Sequence, residues 1–155
     1  MKKLKPPNPK HLSEAKEANI LLLRRSVTDV NGNIYICPRC GGELPLRADL
    51  VRAKLLRGDT EKWPCETCKW DEYKREAEEA SLSILRKANN THNLIYRFNE
   101  CDHEQEISKQ SVRDKEFKCN TCFEKKLEAE ANKKNLTIVG KGSDKNFRLY
   151  KFLSC

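Results

Sequence analysis

Long apolar stretches are what this sequence most conspicuously lacks. No run approaches the roughly 18 residues that mark a membrane-crossing helix, so none is expected here. The basic start, Met1 to Lys10, has no apolar segment behind it and does not read as a secretory signal. Apolar residues make up only 37% of the 155-residue chain, 35% is charged, and the mean hydropathy is −0.82. That is too little apolar material for one large interior, so small units with extra staples are expected. Catalytic signatures are missing as well. There is no HExxH, no P-loop and no Gly-rich dinucleotide turn. Catalysis is not expected in this stretch.

Cysteine, by contrast, is abundant: eight residues, several in spaced pairs. Without a secretory signal the expected compartment is the reducing cytoplasm, where paired cysteines read as metal ligands rather than disulfides. A Cys-x-x-Cys pair aims two sulfurs at one point, and two such pairs brought together complete a tetrahedron. Cys37, Cys40, Cys65 and Cys68 supply one such set. Pro38 fixes the first turn, and Gly41-Gly42 let the backbone fold back behind it. The 24 residues between Cys40 and Cys65 leave room for a hairpin or short helix. Cys101, Cys119 and Cys122 leave a second set one ligand short, and His103 makes up the deficit. Sets closed at four predict two structural zinc ions. His11 and His92 lack such a context and are expected to be solvated loop residues.

The chain also repeats itself. Residues 65–101 align with 119–155 at a constant shift of 54, which superposes Cys65 on Cys119, Cys68 on Cys122, Ala77 on Ala131, Tyr96 on Tyr150 and Cys101 on Cys155. Residues 35–52 align with 96–113 at a shift of 61, which superposes Tyr35 on Tyr96, Cys40 on Cys101 and Val51-Arg52 on Val112-Arg113. Under that shift Cys37 meets Phe98, and His103 stands opposite Gly42. Glu14-Ala15 also matches Glu76-Ala77 once a residue is skipped. The expected organisation is a basic flexible arm at 1–13, a first zinc module at 14–75, a second at 76–127 and a partial third at 128–155. A natural terminus and a fragment of a longer array are both compatible with the third copy reaching only Cys155. A half-built metal centre with a spare thiol favours the fragment.

Each module reads as strand, knuckle, hairpin, ligand pair and helix. Strands are expected at Asn33–Ile36, Leu94–Asn99 and Phe147–Leu153, with the shared Tyr and Phe of the last two on one face. Helices are expected after Cys68, through KWDEYKREAEEASLSIL, and after Cys122, through FEKKLEAEANKK. The order Cys101-x-His103, Val112-Arg113, Phe117-x-Cys119-x-x-Cys122 resembles the treble-clef or zinc-ribbon class. It is similar to zinc-finger arrays of bacteriophage and mobile-element proteins, which accompany GIY-YIG and other homing-type nucleases. Asp102 stands where such modules more usually have Gly. The resemblance implies a small α+β fold of tandem zinc-stabilised modules linked by helices, a DNA-targeting role, and the cytoplasm of a bacterial host.

The formal net charge is +8, and it is uneven. Residues 1–32 hold seven basic against three acidic side chains, residues 33–108 twelve against fourteen, and residues 109–155 twelve against six. Cations recur near each ligand set: Arg39, Arg47, Arg52, Lys54 and Arg57 in the first module, Lys109, Arg113, Lys115 and Lys118 in the second, and Lys141, Lys145, Arg148 and Lys151 beyond. Repeated cations at repeated positions would track a phosphate backbone, whereas scattered ones are ordinary solvated surface. The basic segment Lys2–Lys10 reads as a strand-tracking arm. The expected partner is nucleic acid, in the form of double-stranded DNA. A protein partner is the alternative, supported by the acidic middle, and no membrane partner is expected. A nuclease domain outside this chain is a third possibility. Within it, Asp102-His103 and Asn33-Ile34-Tyr35 bear only a faint likeness to nuclease motifs.

Overall fold

The computed structural model describes residues 6–144 and 147–154. The elements are α1 (Pro9–Glu17), β1 (Leu21–Arg25), β2 (Gly32–Ile36), β3 (Glu43–Arg47), α2 (Ala48–Arg57), α3 (Glu66–Glu79), β4 (Leu82–Lys87), β5 (Asn93–Phe98), β6 (Glu104–Ser108), α4 (Lys109–Asp114), α5 (Asn120–Lys133), β7 (Leu136–Lys141) and β8 (Arg148–Phe152). They form a small α+β chain with three antiparallel sheets, ordered β1-β2-β3, β4-β5-β6 and β7-β8. Two compact units result, Met1–Glu72 and Tyr73–Cys155.

In the first unit Asn8 caps α1, its side-chain oxygen accepting from the Lys10 amide at 2.9 Å, and Pro9 sits where its missing N–H costs nothing. Lys10 therefore belongs to a helix rather than to a flexible arm. Residues 1–5 lie outside the described region. His11, expected in a solvated loop, lies in α1, partly buried, with its Nδ1 3.2 Å from the Asn33 amide nitrogen. The local sequence around His11 gave no sign of this, because Asn33 comes from the sheet.

Ala15 and Ala18 turn one face of α1 inward, against Leu22, Tyr35, Leu44 and Val51. Strand β3 alternates, burying Leu44 and Leu46 between exposed neighbours. The interior runs without a break into Cys37, Cys65 and Cys68. Asn33, almost fully buried, donates to the Tyr35 hydroxyl at 3.2 Å, which keeps a polar group in the core satisfied.

The second unit builds the same design again and then begins it a third time. Each sheet is entered from a helix through one left-handed residue: Asn19 (φ 54°), Ser81 (φ 57°) and Asn135 (φ 56°). This turn corrects the expected helix through SLSIL. Helix α3 stops at Glu79, Ser81 reverses the chain, and Leu82 opens β4. Helix formers upstream hid a one-residue stop that has no glycine in it. Each first strand then carries a bulge at the same place, between Leu22 and Arg24, Ile84 and Arg86, and Ile138 and Gly140. Tyr35 and Tyr96 are both buried at the centre of their sheets. Burial pushes the Tyr96 hydroxyl up to about 12, so the group is neutral where it packs.

Helix α2 has ten residues and α4 six, so a longer α2 accounts for four of the seven extra residues in the first module. Both end in a left-handed cap, Gly58 (φ 67°) and Lys115 (φ 57°). Val51 and Val112 are the fully buried residues of these helices. The third sheet has two strands and rests on α5 through Ala131.

Candidate metal centres

The knuckle between β2 and β3 is held by its backbone. The Cys37 N–H donates to the Gly42 carbonyl at 2.9 Å, and the Gly41 N–H donates to the Cys37 carbonyl at 2.8 Å. Gly41 adopts φ 70°, where a side chain is disfavoured. The fold repeats this knuckle 61 residues later. There the Phe98 N–H donates to the His103 carbonyl at 3.0 Å, and the Asp102 N–H donates to the Phe98 carbonyl at 2.8 Å. Asp102 takes φ 56°, which aspartate tolerates better than most residues. The two loops match bond for bond, yet the first ligand position of one holds a phenylalanine in the other. Phe98 packs on Phe117 instead, ring centroids 5.9 Å apart.

The second half of each centre comes from a helix start. Cys65 directly precedes α3 and Cys68 lies in its first turn. Cys119 caps α5, its sulfur accepting from the Cys122 N–H at 3.4 Å. Thiolates placed here face the positive end of the helix.

The spacing of the ligand atoms suits a tetrahedral ion. With metal–sulfur bonds of about 2.3 Å, the sulfurs should stand about 3.8 Å apart, and a sulfur and an imidazole nitrogen about 3.6 Å. Cys37 and Cys68 sulfurs are 3.7 Å apart, and those of Cys40 and Cys65 are 3.6 Å apart. In the second centre, Cys101 and Cys119 sulfurs are separated by 3.7 Å. His103 Nδ1 lies 3.3 Å from the Cys119 sulfur and 3.4 Å from that of Cys122. Within each set all four ligand atoms lie within 4.8 Å of one another. A disulfide would need about 2.05 Å. The two clusters therefore fit two bound metal ions, and all eight residues singled out from sequence are brought together.

Electrostatics prepare one thiol in each cluster for ionisation. Burial opposes the charge on Cys37, but the backbone amides of Cys40 and Arg39 and the neighbouring thiols outweigh it and lower the thiol to about 7. Cys119 is likewise lowered to about 7, against burial, by the Cys122 amide, His103 and the other thiols. Once one sulfur is charged its neighbours resist. Burial and three adjacent sulfurs raise Cys68 to about 12, and the Cys101 and Cys119 sulfurs raise Cys122 to about 11. A divalent ion removes that resistance by compensating the accumulated charge.

The cations separate into two groups. Arg52 Nε lies 2.7 Å from Glu14, and Arg113 Nε lies 2.8 Å from Glu76, each carboxylate side chain only 13% exposed. The repeated arginines thus bind the helix before each sheet to the short helix after it. Glu14 and Glu76, which receive these arginines, match in the repeat as well. Arg47 pairs with Asp49 at 3.1 Å, Lys54 with Asp59 at 2.8 Å and Arg148 with Glu124 at 2.6 Å. Lys109 donates to the Thr91 carbonyl and lies over the Tyr73 ring, and Lys118 lies over Phe123. Arg39, Arg57, Lys115, Lys141 and Lys151 are exposed and have no ion-pair partner among the described residues. Lys145 lies outside those residues.

No helix among the described residues is long and apolar enough to cross a membrane. Comparison of the chain with family models, with curated proteins and with solved structures gave no match.

Proposed function

We propose that the protein is a zinc-dependent, non-catalytic DNA-binding array, the targeting part of a larger phage or mobile-element protein such as a nuclease. Zinc is the ion best suited to the donors, because closed sets of four cysteines, or of three cysteines and one histidine, mark its structural sites. A knuckle followed by a helix-borne ligand pair supports the treble-clef class. Loading both centres adds formal charges of −2 and −1 to the net +8, leaving the chain near +5.

The observation that carries the nucleic-acid reading is the set of exposed cations left over once the fold has used its own. Arg39 stands inside the first knuckle, Arg57 at the end of α2 and Lys115 directly after α4. A gel-shift salt titration on duplex DNA tests it. Affinity should fall linearly on a log–log plot with salt, and replacing Arg39, Arg57 and Lys115 with Ala should flatten the slope by about 3. Binding insensitive to salt would instead favour the second reading, a zinc-scaffolded protein-interaction module. The exposed Leu149, Phe152 and Leu153 favour that reading.

A further inference from the structure

The third sheet repeats the first two strands of the other two, and the elements that cover those strands in the other copies can be specified. Helix α5 with β7 and β8 repeats α1 with β1 and β2, and α3 with β4 and β5, down to the left-handed turn residue and the bulge. In the first two copies the central strand pairs on both sides, with β3 or β6 along its second edge. A short helix follows, and its buried valine, Val51 or Val112, belongs to the module interior. Tyr35 and Tyr96 are 0% and 1% exposed as a result, whereas Tyr150 at the same position is 47% exposed. Among the described residues β8 pairs with β7 alone.

A cleft of about 240 Å³ opens beside Tyr150, lined also by Leu127, Glu130, Ala131, Lys134 and Leu136. Ala131, Leu136 and Tyr150 occupy the places that Ala15, Ile20 and Tyr35 fill in the first module, and Ala77, Leu82 and Tyr96 in the second, all of them buried. Glu130 occupies the place of Glu14 and Glu76, the two carboxylates that receive Arg52 and Arg113. It is exposed and has no ion pair among the described residues. An acidic group at the edge of an apolar cleft disfavours a nucleic-acid occupant and matches a polypeptide carrying arginine.

We propose that this cleft and the free edge of β8 form an acceptor site for a polypeptide segment of the β6–α4 pattern. An extended stretch adds to β8 antiparallel, by strand augmentation. A short helix then seats an apolar side chain on Ala131 and Tyr150, and the arginine that follows it pairs with Glu130. Lys134 stands where the other copies have Ala18 and Ala80, so the occupant carries a polar or acidic residue on that side. The site uses neither Arg39, Arg57 nor Lys115, so it can be tested apart from any nucleic acid those cations bind.

The test uses the metal-loaded full chain and a synthetic peptide of residues 104–116, which carries Ile107, Val112 and Arg113. NMR titration should move the amides of β8 and of α5 near Glu130, and leave the first unit unmoved. Arg113→Glu in the peptide should weaken binding at least tenfold, and Glu130→Arg in the protein should restore it. A second measurement does not require the peptide to order unaided: residues 102–118 appended after Cys155 should slow amide exchange in β8 at least tenfold. Absence of both effects overturns the proposal. So does peptide binding indifferent to Glu130→Arg, or self-association of the chain through β8 that excludes the peptide.

Discussion

The two metal centres share a loop and differ in where the loop carries its ligands. In the first, the knuckle contributes Cys37 and Cys40; in the second, Cys101 and His103. The same two backbone hydrogen bonds close both loops. A ligand has moved five residues along the chain, from the Cys37 position to the Gly42 position, and the ligand-atom spacings have stayed at tetrahedral values. The lesson is that the backbone makes the knuckle and the side chains only populate it. Phe98, freed from coordination, becomes part of the aromatic packing with Phe117.

Removing the ions should erase the comparison altogether. The interiors are small, and that of the first module merges with its cysteines, so metal binding and folding should be one equilibrium, with roughly 10–16 kcal/mol of apparent binding energy per site at neutral pH. Chelation should abolish dispersed NMR signals from both units, and native mass spectrometry before chelation should give two ions per chain. Acid acts in the same direction, because protons compete for the sulfurs and for His103.

Breaking one side only should be the next largest effect. Cys119→Ala should cost one ion and the order of the second unit, leaving the first largely intact. Equal collapse of both units would count against modular folding. A sharper version transplants one ligand set into the other. His103→Gly should lose an ion, and adding Phe98→Cys should regain it, since that pair of changes rebuilds the first centre's pattern on the second knuckle. Failure to regain it, by metal analysis of the purified variants, would show that the loops are not interchangeable.

Core truncation should affect the two modules alike. Val51→Ala and Val112→Ala each remove a fully buried side chain, at a cost of about 2 kcal/mol, readable from the thermal midpoint of each unit. The smallest effect belongs to Arg52→Ala and Arg113→Ala. Each should lower the midpoint of its own unit slightly, by the same amount, and more so at low salt.

The two four-residue clusters were legible in the sequence, because Cys-x-x-Cys spacing is dictated by the geometry of a turn and a missing fourth donor can be counted. The strands around Tyr35, Tyr96 and Tyr150 were legible for a related reason, the repeated aromatics, although the core position those aromatics suggest holds for Tyr35 and Tyr96 and not for Tyr150. What could not be read was set by residues distant in sequence. The ion pair of Arg52 could not be read because its partner, Glu14, lies 38 residues away. Strand β4 was hidden inside a helical pattern that one left-handed serine interrupts. Helices α2 and α4 are too short for a periodic signal, with Ala48 and Val51 buried in the first and Val112 in the second.

Helix α5 joins an ion site to a sheet within one unit. Cys119 and Cys122 fix its first turn, and Ala131, near its last, seats β7. A 14-residue helix of this composition is marginal by itself, because the opening turn is the step least favoured by chance. Coordination supplies that turn ready-made. Order should therefore spread outward from the ion along about 21 Å of helix before the β7–β8 hairpin has anything to rest on. Metal availability would then act as a switch for the far end of the chain as well as for the site it occupies.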